Sequence, residues 1–248
     1  MVSLTALEGL PLVQAGDDVA ALIIDGIRQS DAAIDDGLII VIAQKIISKA
    51  EDRAVQLSAV VPSEEAMLLA QETGKDARLV ELILAESNAV VRQANDRIIT
   101  ENKLGIIMAN AGIDQSNIDD GYALLLPEDP DKSAATISSK LSAALGISVG
   151  VVIADSAGRP WRKGVVGLAI GVYGVPAVLD ARGSTDLYGR RLLATDIAIA
   201  DSIAAAATLL MGQGSEGTPV ILLSGLAFDE TEQTARDVLR DKESDLFR

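Results

Sequence analysis

The chain has no cysteine and no histidine. Their absence removes thiolate nucleophiles, disulfides, imidazole bases, His-based serine triads and zinc sites of the Cys/His type. Any metal it binds should be a hard ion held by oxygen, which points to Mg²⁺ or Mn²⁺. Aromatic residues make up only 2% of a chain that is 49% hydrophobic, so the core must be built from Ala, Val, Ile and Leu. No apolar run approaches the roughly 20 residues of a membrane helix. Met1 to Val13 lacks the basic start and small-residue cleavage site of a signal peptide, so the expected location is the cytoplasm. Positive charge is also in short supply: 21 Lys and Arg stand against 36 Asp and Glu, a net charge of -15. That balance disfavours nucleic acid and anionic membranes as partners.

Two stretches stand out. Asn110 to Asn117 reads Asn-Ala-Gly-Ile-Asp-Gln-Ser-Asn, and Asp155 to Arg162 reads Asp-Ser-Ala-Gly-Arg-Pro-Trp-Arg. Each sets a carboxylate at the end of an apolar run, among glycine and small oxygen-bearing or basic side chains, as metal and phosphate sites require. Between Arg159 and Arg191 the acidic trend reverses, with Arg159, Arg162, Lys163, Arg182, Arg190 and Arg191 against Asp180 and Asp186. A basic island in an acidic protein suits a small polyanion, or forms a solvated, salt-bridged face.

Local patterns outline the fold. Asp17 to Ser30 carries Val19, Leu22, Ile23 and Ile27 at helical spacing behind a capping aspartate. Gly37 to Ala43 is a β-branched run suited to a strand buried on both faces, with polar Gln44, Lys45, Ser48 and Lys49 just beyond it. Ser63 is expected to cap a helix that Gly74 stops, and Ala77 to Glu86 forms another. Ala89 to Gln93, Arg97 to Thr100 and Gly105 to Ala109 suggest a local antiparallel sheet. Leu126 to Asp131 is a rigid turn, with Asp131 as the expected cap of a helix ending at Gly146. Strands are expected at Val149 to Ala154, delivering Asp155 at the end, and at Val165 to Ile170, Ala177 to Leu179 and Val220 to Leu223. A long helix is expected over Thr195 to Met211, and a surface helix in the charged tail from Asp229. Strands clustered mid-chain among irregularly placed helices argue for α+β rather than a strictly alternating sheet.

Asp114 and Asp155 can meet at one sheet edge as ligands for a hard cation; alternatively, each merely caps a turn. Ser116, Asn117 and Ser156 supply hydroxyl and amide groups. Lys45 and Lys49, four apart, face the same way whether helical or extended, as phosphate ligands or as a solvated pair. Gly212 to Gly217 is a glycine-rich loop whose amides can approach a nucleotide, although it matches neither the Walker A nor the dinucleotide fingerprint. Trp161 either stacks on a planar ligand or plugs the core.

In this order, the pieces resemble the coenzyme F420-0:L-glutamate ligase family, also called F420-0 gamma-glutamyl ligase. The likeness runs through Leu10 to Val13, Ala43 to Glu51, Asn110 to Asn117, Leu126 to Asp131, Asp155 to Gly164, Asp180 to Arg190 and Met211 to Gln213. It implies one catalytic unit over residues 1–248 with two intertwined α/β subdomains, and a homodimer. It further implies GTP as co-substrate, Mg²⁺ or Mn²⁺, and K⁺ as a further candidate ion. The implied metal ligands are Asp114, Asp155, Ser156 and Gln213. Leu10, Pro11, Leu12, Val13, Gln44, Lys45, Lys49, Asn117, Met211, Gly212, Gln213, Gly214, Ser215, Glu216, Gly217 and Thr218 would hold GTP. The implied reaction joins L-glutamate to the lactyl carboxylate of F420-0 through an acyl phosphate, with Lys45, Lys49 and Arg159 stabilising the phosphoryl charge, and then adds gamma-linked glutamates. Two departures stand out: Ser156 replaces a common threonine, and Leu104-Gly105 replaces a common His-Gly. At 248 residues the chain is too short for the fused flavin-binding domain of some members. The rival readings are a same-fold ligase for another carboxylate and a non-catalytic nucleotide or metal sensor.

Overall fold

The computed structural model describes residues 1–30, 32 and 34–246. In chain order the elements are β1 (Ser3–Ala6), α1 (Val19–Gln29), β2 (Leu38–Ala43), α2 (Gln44–Ala50), β3 (Ala54–Gln56), α3 (Glu64–Thr73), α4 (Ala77–Ala85), β4 (Ser87–Ala94), β5 (Arg97–Asn102), β6 (Ile107–Ala109), β7 (Tyr122–Leu124), α5 (Pro130–Leu145), β8 (Val149–Arg159), β9 (Arg162–Tyr173), β10 (Val178–Asp180), β11 (Asp196–Ala198), α6 (Ile199–Met211) and β12 (Val220–Ser224). No helix among the described residues is long and apolar enough to cross a membrane.

A five-stranded sheet in the order β1-β12-β2-β8-β9 forms the centre, with β2 and β8 parallel and the other pairs antiparallel. The mixture of strand directions and irregular helices is an α+β fold. Because successive strand residues face opposite ways, Leu38, Ile40 and Ile42 pack with Ile23 of α1 and Leu141 of α5. Ile39 and Val41 pack instead with Ile203, Ala204 and Ala207 of α6. Both faces of β2 are therefore buried, and each such aliphatic side chain stabilises the fold by about 1.5–3 kcal/mol. Two glycines of β9 let backbones approach closely. A Cβ on Gly167 would strike the Ala204 carbonyl of α6, and one on Gly171 the Pro130 carbonyl of α5. Residues 54–125, inserted between α2 and α5, gather a third core in which Leu69, Val80, Ile83, Ile98 and Ala123 pack together.

Most expected elements are present. Asp18 caps α1 and Ser63 caps α3, whose end Gly74 takes the left-handed conformation. The β4-β5-β6 sheet is antiparallel as expected. Three expectations change here. Asp129, not Asp131, caps α5 by accepting from the Lys132 amide at 3.0 Å. Asp131 lies in the first helical turn and accepts from the amides of Val172 (2.8 Å) and Ala235 (3.0 Å). The helix expected from Thr195 begins only at Ile199, because Asp196–Ala198 pairs with Val178–Asp180 as strand. The tail from Asp229 is not a surface helix. It forms a short 3₁₀ turn at Ala235–Val238 and is held by long-range contacts, including Lys242 Nζ to Glu101 Oε1 at 2.8 Å. Its last two positions, Phe247 and Arg248, lie outside the described residues. Trp161 does not plug the core: it sits at the tip of the β8–β9 hairpin with φ 59° and is 82% exposed.

Candidate functional site

Several chain segments converge on one edge of the central sheet. The Ala43 amide at the end of β2 donates to the Pro219 carbonyl just before β12 (2.8 Å), and the Leu7 amide after β1 donates to Val220 (2.9 Å). Ala43 lies in register with Ala154 of β8, so Asp155 falls beside the start of α2. The edge therefore receives Leu10 to Val13, the first turn of α2, Asp155 and the glycine-rich loop entering β12. Gly16 ties the first segment to α2 by donating to the Ala50 carbonyl at 2.9 Å.

Lys45, in the first turn of α2, reaches across this edge. Its ammonium donates to the Asp114 carboxylate, to Ser116 Oγ at 2.6 Å and to the Ser116 carbonyl at 3.4 Å. The Asp114 backbone is anchored by an antiparallel bridge to Leu124, and its carboxylate accepts from the Ser116 amide at 2.8 Å. Burial pushes the Asp114 carboxyl up, but the Lys45 ammonium and the Ser116 amide outweigh it, so the group lies below its ordinary value. Asp155 behaves in the opposite way. Burial, together with the nearby Asp114 charge, pushes it up to about 6, against its hydrogen bond from the Ser156 amide (2.8 Å) and the attraction of Lys45. Electrostatics thus couple Asp114, Asp155 and Lys45 into one cluster.

The other expected site residues fall into three groups. Lys49 lies one turn beyond Lys45, half-buried, on α2. Asn117 joins the loops, its Nδ2 donating to the Gly214 carbonyl at 3.2 Å, while Thr218 Oγ1 closes the loop onto the Leu210 carbonyl at 3.0 Å. Gln213, Gly214, Ser215, Glu216 and Gly217 are exposed, and Met211 is buried in the α6 core. Gln44 faces inward: it is 2% exposed, and its Nε2 donates to Ser48 Oγ (2.6 Å) and the Leu125 carbonyl (3.5 Å). Arg159 is not brought to the cluster.

β8 does not end at Ala154 as expected but runs on to Arg159, which pairs with Arg162 on an exposed hairpin. Asp155 is therefore mid-strand, next to a register shift between Ile153 and Ala154, and Arg159 is four residues further out. The strand continues because Ser156 to Gly158 pair with Val165 to Gly167, although their composition reads as a turn. The basic island divides too. Arg182 pairs with Asp180 (2.6 Å) and Asp196 (3.8 Å), and Arg190 with Asp186 (3.5 Å), so these arginines brace their own loop. Ser116, expected as a hydroxyl donor beside Asn117, accepts from Lys45 and closes an Asx turn on Asp114, so it is a central member of the cluster.

Asp114 and Asp155 are oxygen donors of the kind a hard divalent cation takes. Asp155 and Asp114 repel one another, and a cation between them would relieve that repulsion. Among the described residues no three Asp or Glu side chains are grouped so as to hold a metal ion by themselves. Remaining ligands would thus come from Ser156, Gln213, water or phosphate oxygens.

This is an α+β protein with an oxygen-rich, carboxylate–lysine site at the edge of a buried sheet. The family model described as F420-0:Gamma-glutamyl ligase matches residues 9–225. A coenzyme F420:L-glutamate ligase of Methanothermobacter thermautotrophicus is 47% identical over 249 aligned residues, covering 100% of this chain and 99% of that protein. The enzyme of the same name from Methanopyrus kandleri is 45% identical, covering 98% and 97%. That from Archaeoglobus fulgidus is 41% identical, covering 100% and 96%. The chain belongs to the F420-0 gamma-glutamyl ligase family.

Proposed function

We propose that this protein is a coenzyme F420-0:L-glutamate ligase of F420 biosynthesis, forming the amide through GTP and Mg²⁺ or Mn²⁺. The observation that carries the reading is the meeting of Lys45, Asp114 and Asp155 at the edge that also receives the Met211 to Thr218 loop. Full-length likeness to enzymes named for this reaction supports the substrate assignment.

On this reading, Leu10 to Val13 and the Met211 to Thr218 loop hold the nucleotide, and Asn117 keeps that loop against the Asp114 turn. Lys45 and Lys49 place positive charge one helical turn apart along the phosphates. Asp114, Asp155, Ser156 and Gln213 hold the divalent ion, which when bound neutralises phosphate charge. The lactyl carboxylate of F420-0 attacks the γ-phosphorus, giving an acyl phosphate and GDP. The glutamate amine then attacks the acyl carbon, loses its proton and expels phosphate. No protein nucleophile is needed, in keeping with a chain that lacks Cys and His. Further gamma-linked additions repeat the cycle. Exposed Leu187, Tyr188 and Leu193 on the 180–198 loop support a homodimer.

The test is mass spectrometry of F420-0 incubated with the protein, L-glutamate, GTP and Mn²⁺. Mass gains of one glutamyl unit that vanish without GTP are expected. No gain, with GTP bound, would move the reading to another carboxylate acceptor.

A further inference from the structure

The glycine-rich loop holds an anion of its own. Glu216 folds back so that its Oε2 accepts from the Gly214 amide at 2.7 Å. The carboxylate lies directly over Gly212, where any Cβ would collide with it, and Gly212 holds φ 72°, a conformation that strongly favours glycine. Gly217 also holds a positive φ (70°), and the amides of Gln213, Gly214 and Glu216 face the carboxylate. The Glu216 carboxyl is held below its ordinary value by its own amide first, then by those of Gly214 and Gln213. Converging backbone amides of this kind form an anion-binding nest, as phosphate-binding loops do.

We propose that, in the nucleotide-free protein, the Glu216 carboxylate occupies the seat that a nucleotide phosphate takes in this loop, so that binding requires Glu216 to swing out. The inference rests on the assignment of this loop to GTP. Glu216 is thus a positioning residue: it keeps the loop curled while the seat is empty and competes with weakly bound anions. Tethering of Gly214 by Asn117 keeps the seat beside the Asp114 turn, so a phosphate that displaced Glu216 would lie toward the carboxylate–lysine cluster. An aspartate at position 216 keeps the charge but reaches one methylene less far toward the Gly214 amide and Gly212.

Calorimetric titration of a non-hydrolysable GTP analogue with Mn²⁺ into the full chain, and into Glu216→Ala and Glu216→Asp, tests this. Both variants should bind the analogue about three- to tenfold more tightly than the wild type, the scale of one hydrogen bond no longer displaced. The Gly214 amide resonance should move with inorganic phosphate at lower concentration in both. Tighter binding by Glu216→Ala alone would mean general charge repulsion, and would overturn occupancy of the seat. Unchanged or weaker binding in both variants, with the wild type binding, would overturn it and leave the GTP assignment standing. No binding to any of the three proteins would overturn the GTP assignment itself and this inference with it.

Discussion

The two halves of β8 are built on opposite terms. From Val149 to Ala154 every residue is buried between two helical layers, whereas Gly158 and Arg159 stand in solvent on a hairpin whose tip carries Trp161. Asp155 lies at the boundary, near enough to the core to be fixed and partly desolvated, yet still open to Asp114 and Lys45. The buried half fixes where the carboxylate stands. Beyond Asp155 only Ala157 still reaches the core, and the strand then leaves it for the exposed hairpin.

The contrast can be broken at four points. Asp155→Ala is expected to have the largest effect: on the proposed metal role it cuts ligation by about a thousandfold or more, with the circular dichroism spectrum unchanged. Near-normal turnover would remove Asp155 from the chemistry. Two positions inward, Ile153→Ala opens the core and should cost about 2–5 kcal/mol of stability, read by urea denaturation.

The third point is pH dependence. The folded Asp155 carboxyl, raised from 3.8 to about 6, binds a proton more tightly than in the unfolded chain. Its ionisation therefore costs stability progressively as pH rises through that window, and fully above pH 6. In metal-free protein, Asp155→Asn should recover up to about 3 kcal/mol above pH 6 and nothing below pH 4. A pH-independent difference in melting temperature between the two proteins would contradict this. The smallest effect belongs to the hairpin tip: Trp161→Ala should change stability by less than about 0.5 kcal/mol in urea denaturation. A large stability loss would mean that the hairpin is anchored as the core is.

Where local pattern dictates structure, the sequence is legible. The apolar run of β2, the Ser63 and Gly74 punctuation of α3 and the three strands of the inserted region all lie close to where composition puts them. Where a long-range partner decides, it is not. Asp196–Ala198 continues a helical composition but is drawn into strand by Val178–Asp180. The charged tail stays irregular because Asp131 and Glu101 hold it from afar. The segment of α2 is open between helix and extended chain in the sequence because it has seven residues, no side-chain cap and an abrupt start from β2.

The candidate site follows the same division. Asp114, Asp155 and Lys45 are identifiable as chemical types, and the sheet brings them together. Arg159 looks equivalent in sequence, but a hairpin carries it away. The inward turn of Gln44 depends on Leu125, which is remote in the chain.

On the proposed reading, Asp114 and Asp155 share one divalent-metal site at the sheet edge. Titration of Mn²⁺ in the presence of GDP, followed by electron paramagnetic resonance, tests it most directly in the wild type, Asp114→Asn and Asp155→Asn. Uptake of Mn²⁺ by the wild type and its loss in both variants is the predicted result. Undiminished uptake in both variants would contradict the account.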